Sequence, residues 1–157
     1  MKKAIVCITL FALLLLTFCS CMGDGTQNQG TGGVSSGSTL GDYQVRIDSC
    51  RLATDYKGDP IIIVKYKFTN NADEPACFAW TFEYEAYQNG VGLNECYVAS
   101  DSANYSADNQ TKQIKNGVSL YVEVAYNLDD TTTDVDIEVS ELFSFSNKKV
   151  TKKFSIR

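Results

Sequence analysis

The sequence predicts an all-β protein, an antiparallel sandwich of seven or eight strands, and three observations carry that prediction. From Tyr43 to Ile156 apolar residues recur with period two, as they do in strands covered on one face. Asn89-Gly90 and Asn116-Gly117 punctuate these runs, and the first pair suits a two-residue hairpin turn. No stretch of this region carries the 3.6-residue period of an amphipathic helix. The chain has 157 residues, which fits one domain.

The elements before the domain come first. Met1-Lys2-Lys3 is a short positive segment, and Ala4 to Phe18 (AIVCITLFALLLLTF) is an apolar run. That run falls short of the roughly twenty residues of a transmembrane helix, and reads as a signal peptide. Ser20-Cys21 then resembles the cleavage site of a bacterial lipoprotein signal, with a small residue before an obligatory Cys. Phe18 stands where such signals usually carry Leu. Residues 1–20 are therefore expected to be removed and Cys21 to receive diacylglycerol through a thioether. Two acyl chains give stable anchoring where one is marginal. The expected location is the extracellular face of a cell membrane. Met22 to Asp42 has seven glycines, no aromatic residue and no charge except two aspartates, and is expected to be a disordered tether. A Gly/Ser-type coil of that length spans roughly 25 Å.

The domain is expected to run from Tyr43 to Arg157. Tyr43, Val45 and Ile47 alternate with polar residues, and the phase then shifts to Cys50 and Leu52, which predicts a bulge or bend. Ile61 to Val64 is continuously apolar before Tyr66 and Phe68 alternate, as in a central strand covered on both sides at one end. Asn70 to Pro75 is a turn. Phe78, Trp80, Phe82, Tyr84 and Ala86 predict one strand face. Pairing Gln88 with Val91 around the Asn-Gly turn places Leu93 opposite Ala86 and Tyr97 opposite Phe82. Glu95 then falls opposite Tyr84, the one misfit of that register. Asp101 to Lys112 is a polar loop. Val118 to Leu128 alternates without a break, Val135, Ile137 and Val139 form a further strand, and Val150, Phe154 and Ile156 a last one. The general plan is immunoglobulin-like.

The stretches YQVRIDSCRLATDY, PIIIVKYKFTNNADE, AYQNGVGLNECYV, DSANYSADNQTKQIKNG and VEVAYNLDDTTTDVDIEV resemble domain of unknown function 5067, a group of Gram-positive surface lipoproteins. The resemblance spans essentially Tyr43 to Arg157. It implies an immunoglobulin-like extracellular domain, and it brings no catalytic or binding residues with it.

Composition narrows the chemistry. Histidine is absent, so a nucleophile has no imidazole base. Carboxylates alone can cleave a glycosidic bond, but Glu83 with Glu85 reads as a solvated strand face and Asp129 with Asp130 as a turn. Asp129, Asp130, Asp134 and Asp136 could offer oxygens to calcium, yet they lack the spacing, Gly and distal Glu of an EF-hand. No enzyme activity, cofactor or metal is expected. Net charge is −5, and loss of Lys2 and Lys3 makes it more negative, so nucleic acid is an unsuitable partner.

Three thiols remain after lipidation, Cys50, Cys77 and Cys96. In the expected register Cys96 faces Glu83, about 20 Å from Cys77, far beyond the roughly 7 Å limit between bridged Cα atoms. Cys50 with Cys96 is the preferred disulfide, and the alternative is that all three thiols are free. Tyr87 and Tyr121 fall opposite their strands' apolar rows, and Tyr105 lies in the polar loop. Tyrosine offers large contact area with few rotors to freeze, so some of these three are candidates for an exposed contact surface with the Asp101–Lys112 loop; the alternative is an outer strand face that simply tolerates Tyr. The functional expectation is a lipid-anchored, non-catalytic binding module for an envelope or extracellular macromolecule. The alternatives are a structural spacer and a carboxylate-dependent hydrolase.

Overall fold

The computed structural model describes residues 38–98 and 105–157. The expected signal peptide, Cys21, most of the expected tether and part of the polar loop (99–104) lie outside the described residues. Eight strands, one α-helical turn and one 3-10 turn follow in order: β1 (Ser38–Leu40), β2 (Tyr43–Thr54), β3 (Pro60–Asn70), α1 (Phe78–Thr81), β4 (Phe82–Gln88), β5 (Val91–Gly92), the 3-10 turn (Ala107–Gln110), β6 (Ser119–Asn127), β7 (Val135–Glu141) and β8 (Lys149–Phe154). They form two four-stranded antiparallel sheets, β1-β2-β3-β6 and β5-β4-β7-β8, packed as a β-sandwich.

Alternation explains most of the core. Ile62, Val64, Tyr66 and Phe68 of β3 face inward against Phe82 and Ala86 of β4 and Ile137 and Val139 of β7. Their partners in β6, Val122, Val124 and Tyr126, share that face. The phase shift in β2 is a bulge: the pairing with β3 slips between Ile47 and Ser49, which returns Cys50 to the inner face. Lys152 of β8 caps this bulge, donating to the Ile47 and Asp48 carbonyls at 3.2 and 2.6 Å.

Three expectations need correction. The ordered sheet begins before Tyr43, because Ser38–Leu40 pairs with β2 and Leu40 is buried. Phe78–Thr81 is a helical turn instead of the start of a strand. Both conformations bury Phe78 and Phe82, since residues four apart share a helix face. Trp80 and Thr81 distinguish them: Trp80 is 77% exposed and Thr81 is buried, the reverse of a strand with Trp80 on its inner face. The segment has to cross from the Ala76–Ile114 bridge to the second sheet, and one helical turn makes that crossing.

The third correction concerns the hairpin. Asn89 and Gly90 both adopt positive φ, and Gln88 pairs with Val91 as expected. The Leu93 N–H still donates to the Ala86 carbonyl at 2.8 Å. The chain then leaves β4 for the other sheet: Glu95 bridges Tyr126, and the Cys96 N–H donates to the Ala125 carbonyl at 2.9 Å. Tyr97 therefore does not face Phe82 and is exposed. The outer face of the first sheet supplies the reason. Ile61, Ile63 and Ala125 lie there, and Val98 and Tyr105 cover them as a second apolar cluster.

Candidate functional site

One side of the sandwich brings together the edge strand β6 and β4, whose outer neighbour β5 is only two residues long, and their outer sides are treated differently. Along β6 four outward backbone groups are occupied by other segments. The Asn109 and Gln110 side-chain amides donate to the Tyr121 and Glu123 carbonyls at 3.0 and 2.7 Å. Further along, Cys96 binds Ala125, and the Asn127 N–H donates to the Asn94 carbonyl at 2.9 Å. Covering an edge in this way prevents it from pairing with another chain.

Along β4 the cover stops early. β5 pairs only with Tyr87 and Gln88, and Leu93 adds one bond at Ala86. Alternation along an antiparallel strand then points the Tyr84 N–H and C=O toward the unpaired side. An open cleft of about 430 Å³ lies against this edge, lined among others by Phe82, Tyr84, Leu93, Glu95 and Tyr126. Ala79 of α1 and Leu142 also line it.

Aromatic residues form its floor. The Tyr84 ring packs 4.9 Å from Phe78 and 6.5 Å from Tyr66, centroid to centroid. The Tyr66 and Tyr126 hydroxyls are buried and share a hydrogen bond at 3.3 Å. Burial, and then the negative charge of Glu95, push the Tyr84 hydroxyl up to about 12. Burial likewise raises Tyr66 and Tyr126, and it raises the Glu95 carboxyl. Phenol hydroxyls held neutral, a backbone edge and one acid suit hydrogen-bonded recognition of an extended chain.

The tyrosines singled out from sequence do not form one surface. Tyr105 is buried against Ile61, Ile63, Val98 and Ala125, and its hydroxyl accepts from Gln110 at 3.1 Å. Tyr121 is exposed on the outer face of the first sheet, with the Lys65 ammonium 4.4 Å from its ring centroid. Tyr87 stands on the outer face of the second sheet, where its hydroxyl donates to Glu85. That bond is the main reason its pKa is pushed up to about 12.

The cysteines are also separated. Cys50, Cys77 and Cys96 are free thiols. Cys50 packs on the inner core and Cys96 on the outer cluster, so the first sheet stands between the expected disulfide partners. Burial pushes both thiols up, which makes them poor nucleophiles near neutral pH.

The acids have local partners. The Asp130 carboxylate accepts from the Thr132 and Thr133 N–H groups at 2.7 and 2.6 Å and from both threonine hydroxyls, which holds it well below the usual carboxylate range. Asp136 pairs with Lys153 at 3.2 Å. Among the described residues no group of three or more His, Cys, Asp or Glu is placed to hold a metal ion. Glu83 and Glu85 stand on the outer face of the second sheet, opposite Ser140 and Glu138.

Sequence reasoning missed the cleft because Tyr84 and Tyr126 read as ordinary core positions. One signal was present. Glu95 opposite Tyr84 was a charged misfit in an apolar row, and the chain leaves the hairpin beside it.

Fold and site together define a two-sheet antiparallel sandwich with one capped edge and one open edge over an aromatic cleft. The chain belongs to the family described as Domain of unknown function (DUF5067), whose model matches residues 26–141. No curated protein matches it. Among solved structures it is similar to the yjhA protein from Bacillus subtilis, with 6% identity and a TM-score of 0.53 over 78% of this chain and 97% of that one. A conserved hypothetical protein from Bacillus anthracis is similar at 15% identity and TM-score 0.54, covering 79% and 94%. A protein from Enterococcus faecalis is similar at 19% identity and TM-score 0.55, covering 76% and 88%. These likenesses show a shared fold.

Proposed function

We propose that the protein is lipid-anchored through Cys21 on the extracellular face of a cell membrane, and that its sandwich is a non-catalytic binding module. The module takes an extended segment of an envelope or extracellular macromolecule along the open edge of β4. The anchor reading is supported by the signal-like segment before Cys21. The binding reading is carried by one observation, the contrast between the capped β6 edge and the uncovered β4 edge beside it. An added strand would pair with the Tyr84 backbone, while the Tyr84 ring and Glu95 would select its side chains. A pure spacer leaves that difference between the two edges without a purpose.

Site-specific photo-cross-linking in cells that produce the full chain tests this reading. A photoreactive residue replaces Asn94, at the cleft, or Tyr56, in the β2–β3 turn. The expected result is a discrete adduct from position 94 and none from 56, with the cross-linked partner peptide mapping to an extended segment. Equal labelling from both positions, or none from 94, rejects it.

A further inference from the structure

The β7–β8 connection carries two phenylalanines that the core does not use. Phe143 and Phe145 are 92% and 107% exposed, the most open large apolar side chains among the described residues. Phe143 also holds a positive φ of 59°, a conformation that bulky residues rarely adopt. The connection is nonetheless tied down. The Leu142 N–H donates to the Thr81 carbonyl at 2.9 Å, and the Ser144 hydroxyl accepts from the Ser146 N–H at 3.1 Å. The bond to Thr81 joins it to α1, which carries the exposed Trp80. Two adjoining connections at one end of the sandwich therefore present three large exposed aromatics.

Chain entry bears on what could cover them. The β1–β2 turn lies at the same end, since a side chain at Gly41 would meet the Glu141 carboxylate. Ser38 pairs with Val45, the third residue of the twelve in β2, so the N-terminal segment joins the domain roughly 10 Å from this end. On the anchor reading proposed above, the sixteen residues between Cys21 and Ser38 reach at most about 55 Å from the lipid. The charges agree with this placement. Between Glu141 and Lys149 the connection itself has no acid and carries Lys148, with Asp42, Asp73, Glu74 and Glu141 elsewhere at that end, whereas the turns at the opposite end carry Asp55, Asp59, Asp129, Asp130 and Asp134 with Lys57. An anionic bilayer surface repels the second end more strongly than this connection.

We infer that residues 142–148 form an interfacial membrane contact. Phe143 and Phe145 seat in the headgroup region of the bilayer that holds the anchor, Lys148 lies at the phosphates, and the domain stands with this end down. Phenylalanine with lysine is a side-chain pairing suited to that depth.

The test uses the full lipidated chain in vesicles of phosphatidylglycerol and brominated phosphatidylcholine. Trp80 is the one native tryptophan, so Trp80→Phe combined with Phe143→Trp gives a single reporter in the connection. Trp80→Phe combined with Tyr56→Trp gives a control at the opposite end. Flotation of the vesicles first reads the anchor. The expected result is a blue-shifted reporter at 143 that loses roughly half its emission to the bromine atoms, with the reporter at 56 unchanged. Flotation with neither reporter quenched, or with both quenched equally, overturns this inference and leaves the anchor reading standing. Failure to float overturns the anchor reading and the contact with it.

Discussion

Gln88 on β4 grips Asp130 in the β6–β7 connection from both sides of one amide. Its Nε2 donates to the Asp130 carbonyl at 3.1 Å, and its Oε1 accepts from the Asp130 N–H at 3.4 Å. The same amide also donates to the Thr133 carbonyl and accepts from the Asp129 N–H, each at 2.9 Å. Gln88 is 1% exposed, and these four bonds use its full hydrogen-bonding capacity. Gln88→Leu is expected to lower stability by about 2–3 kcal/mol, because the connection's backbone groups lose their partner. A urea melt measures this, and a loss below about 0.5 kcal/mol would show that water replaces the amide freely.

The tyrosine cluster sets a pH dependence. Tyr66, Tyr84 and Tyr126 all hold their protons to higher pH in the fold than the ordinary value near 10, Tyr84 to about 12. Above that ordinary value the unfolded chain releases protons that the folded chain keeps, so rising pH favours unfolding. The urea midpoint is expected to hold steady up to about pH 9 and to fall from about pH 10 upward. Tyr84→Phe should make the fall shallower. A midpoint whose decline is identical in that variant would place its cause elsewhere.

Gly41 turns between β1 and β2 at a φ of 57°, and the position of a β-carbon there is filled by the Glu141 carboxylate. Gly41→Ala meets both obstacles and is expected to cost about 1–2 kcal/mol. Glu141→Ala should recover part of that loss when combined with it, and a double-mutant cycle reads the coupling. Strict additivity would mean that backbone conformation alone is responsible.

Cys50 and Cys96 lie on opposite faces of the first sheet and are expected to resist joining. Mild oxidant should leave them unlinked in the native protein and link them only in denaturant, as scored by non-reducing peptide mapping. Both thiols should react slowly with alkylating reagents at neutral pH and faster as pH rises, because burial raises them. A native Cys50–Cys96 link would require the sheet to open.

Much of this fold was legible in residue order because the deciding physics is local. Alternation marked β2, β3, β6 and β7. The broken phase after Ile47 marked the bulge, and Asn89-Gly90 set the register of Gln88 against Val91. Each of these depends on neighbours one to four residues apart, through strand pleat and turn conformation. The ends of the elements depended on distant surfaces. Phe78–Thr81 satisfies a strand and a helix pattern equally, and the need to cross between sheets chose the helix. Tyr105 reads as a loop residue, yet Ile61 and Ile63 drew it inward. The hairpin was cut short as the chain left to cover that same outer face, which exposed the β4 edge and formed the cleft. By itself the sequence determined the β class, the two faces of each strand and the tight turns. Tertiary structure alone decided which apolar surfaces needed a cover and which segment supplied it, because burial area is a property of pairs of surfaces far apart in the chain.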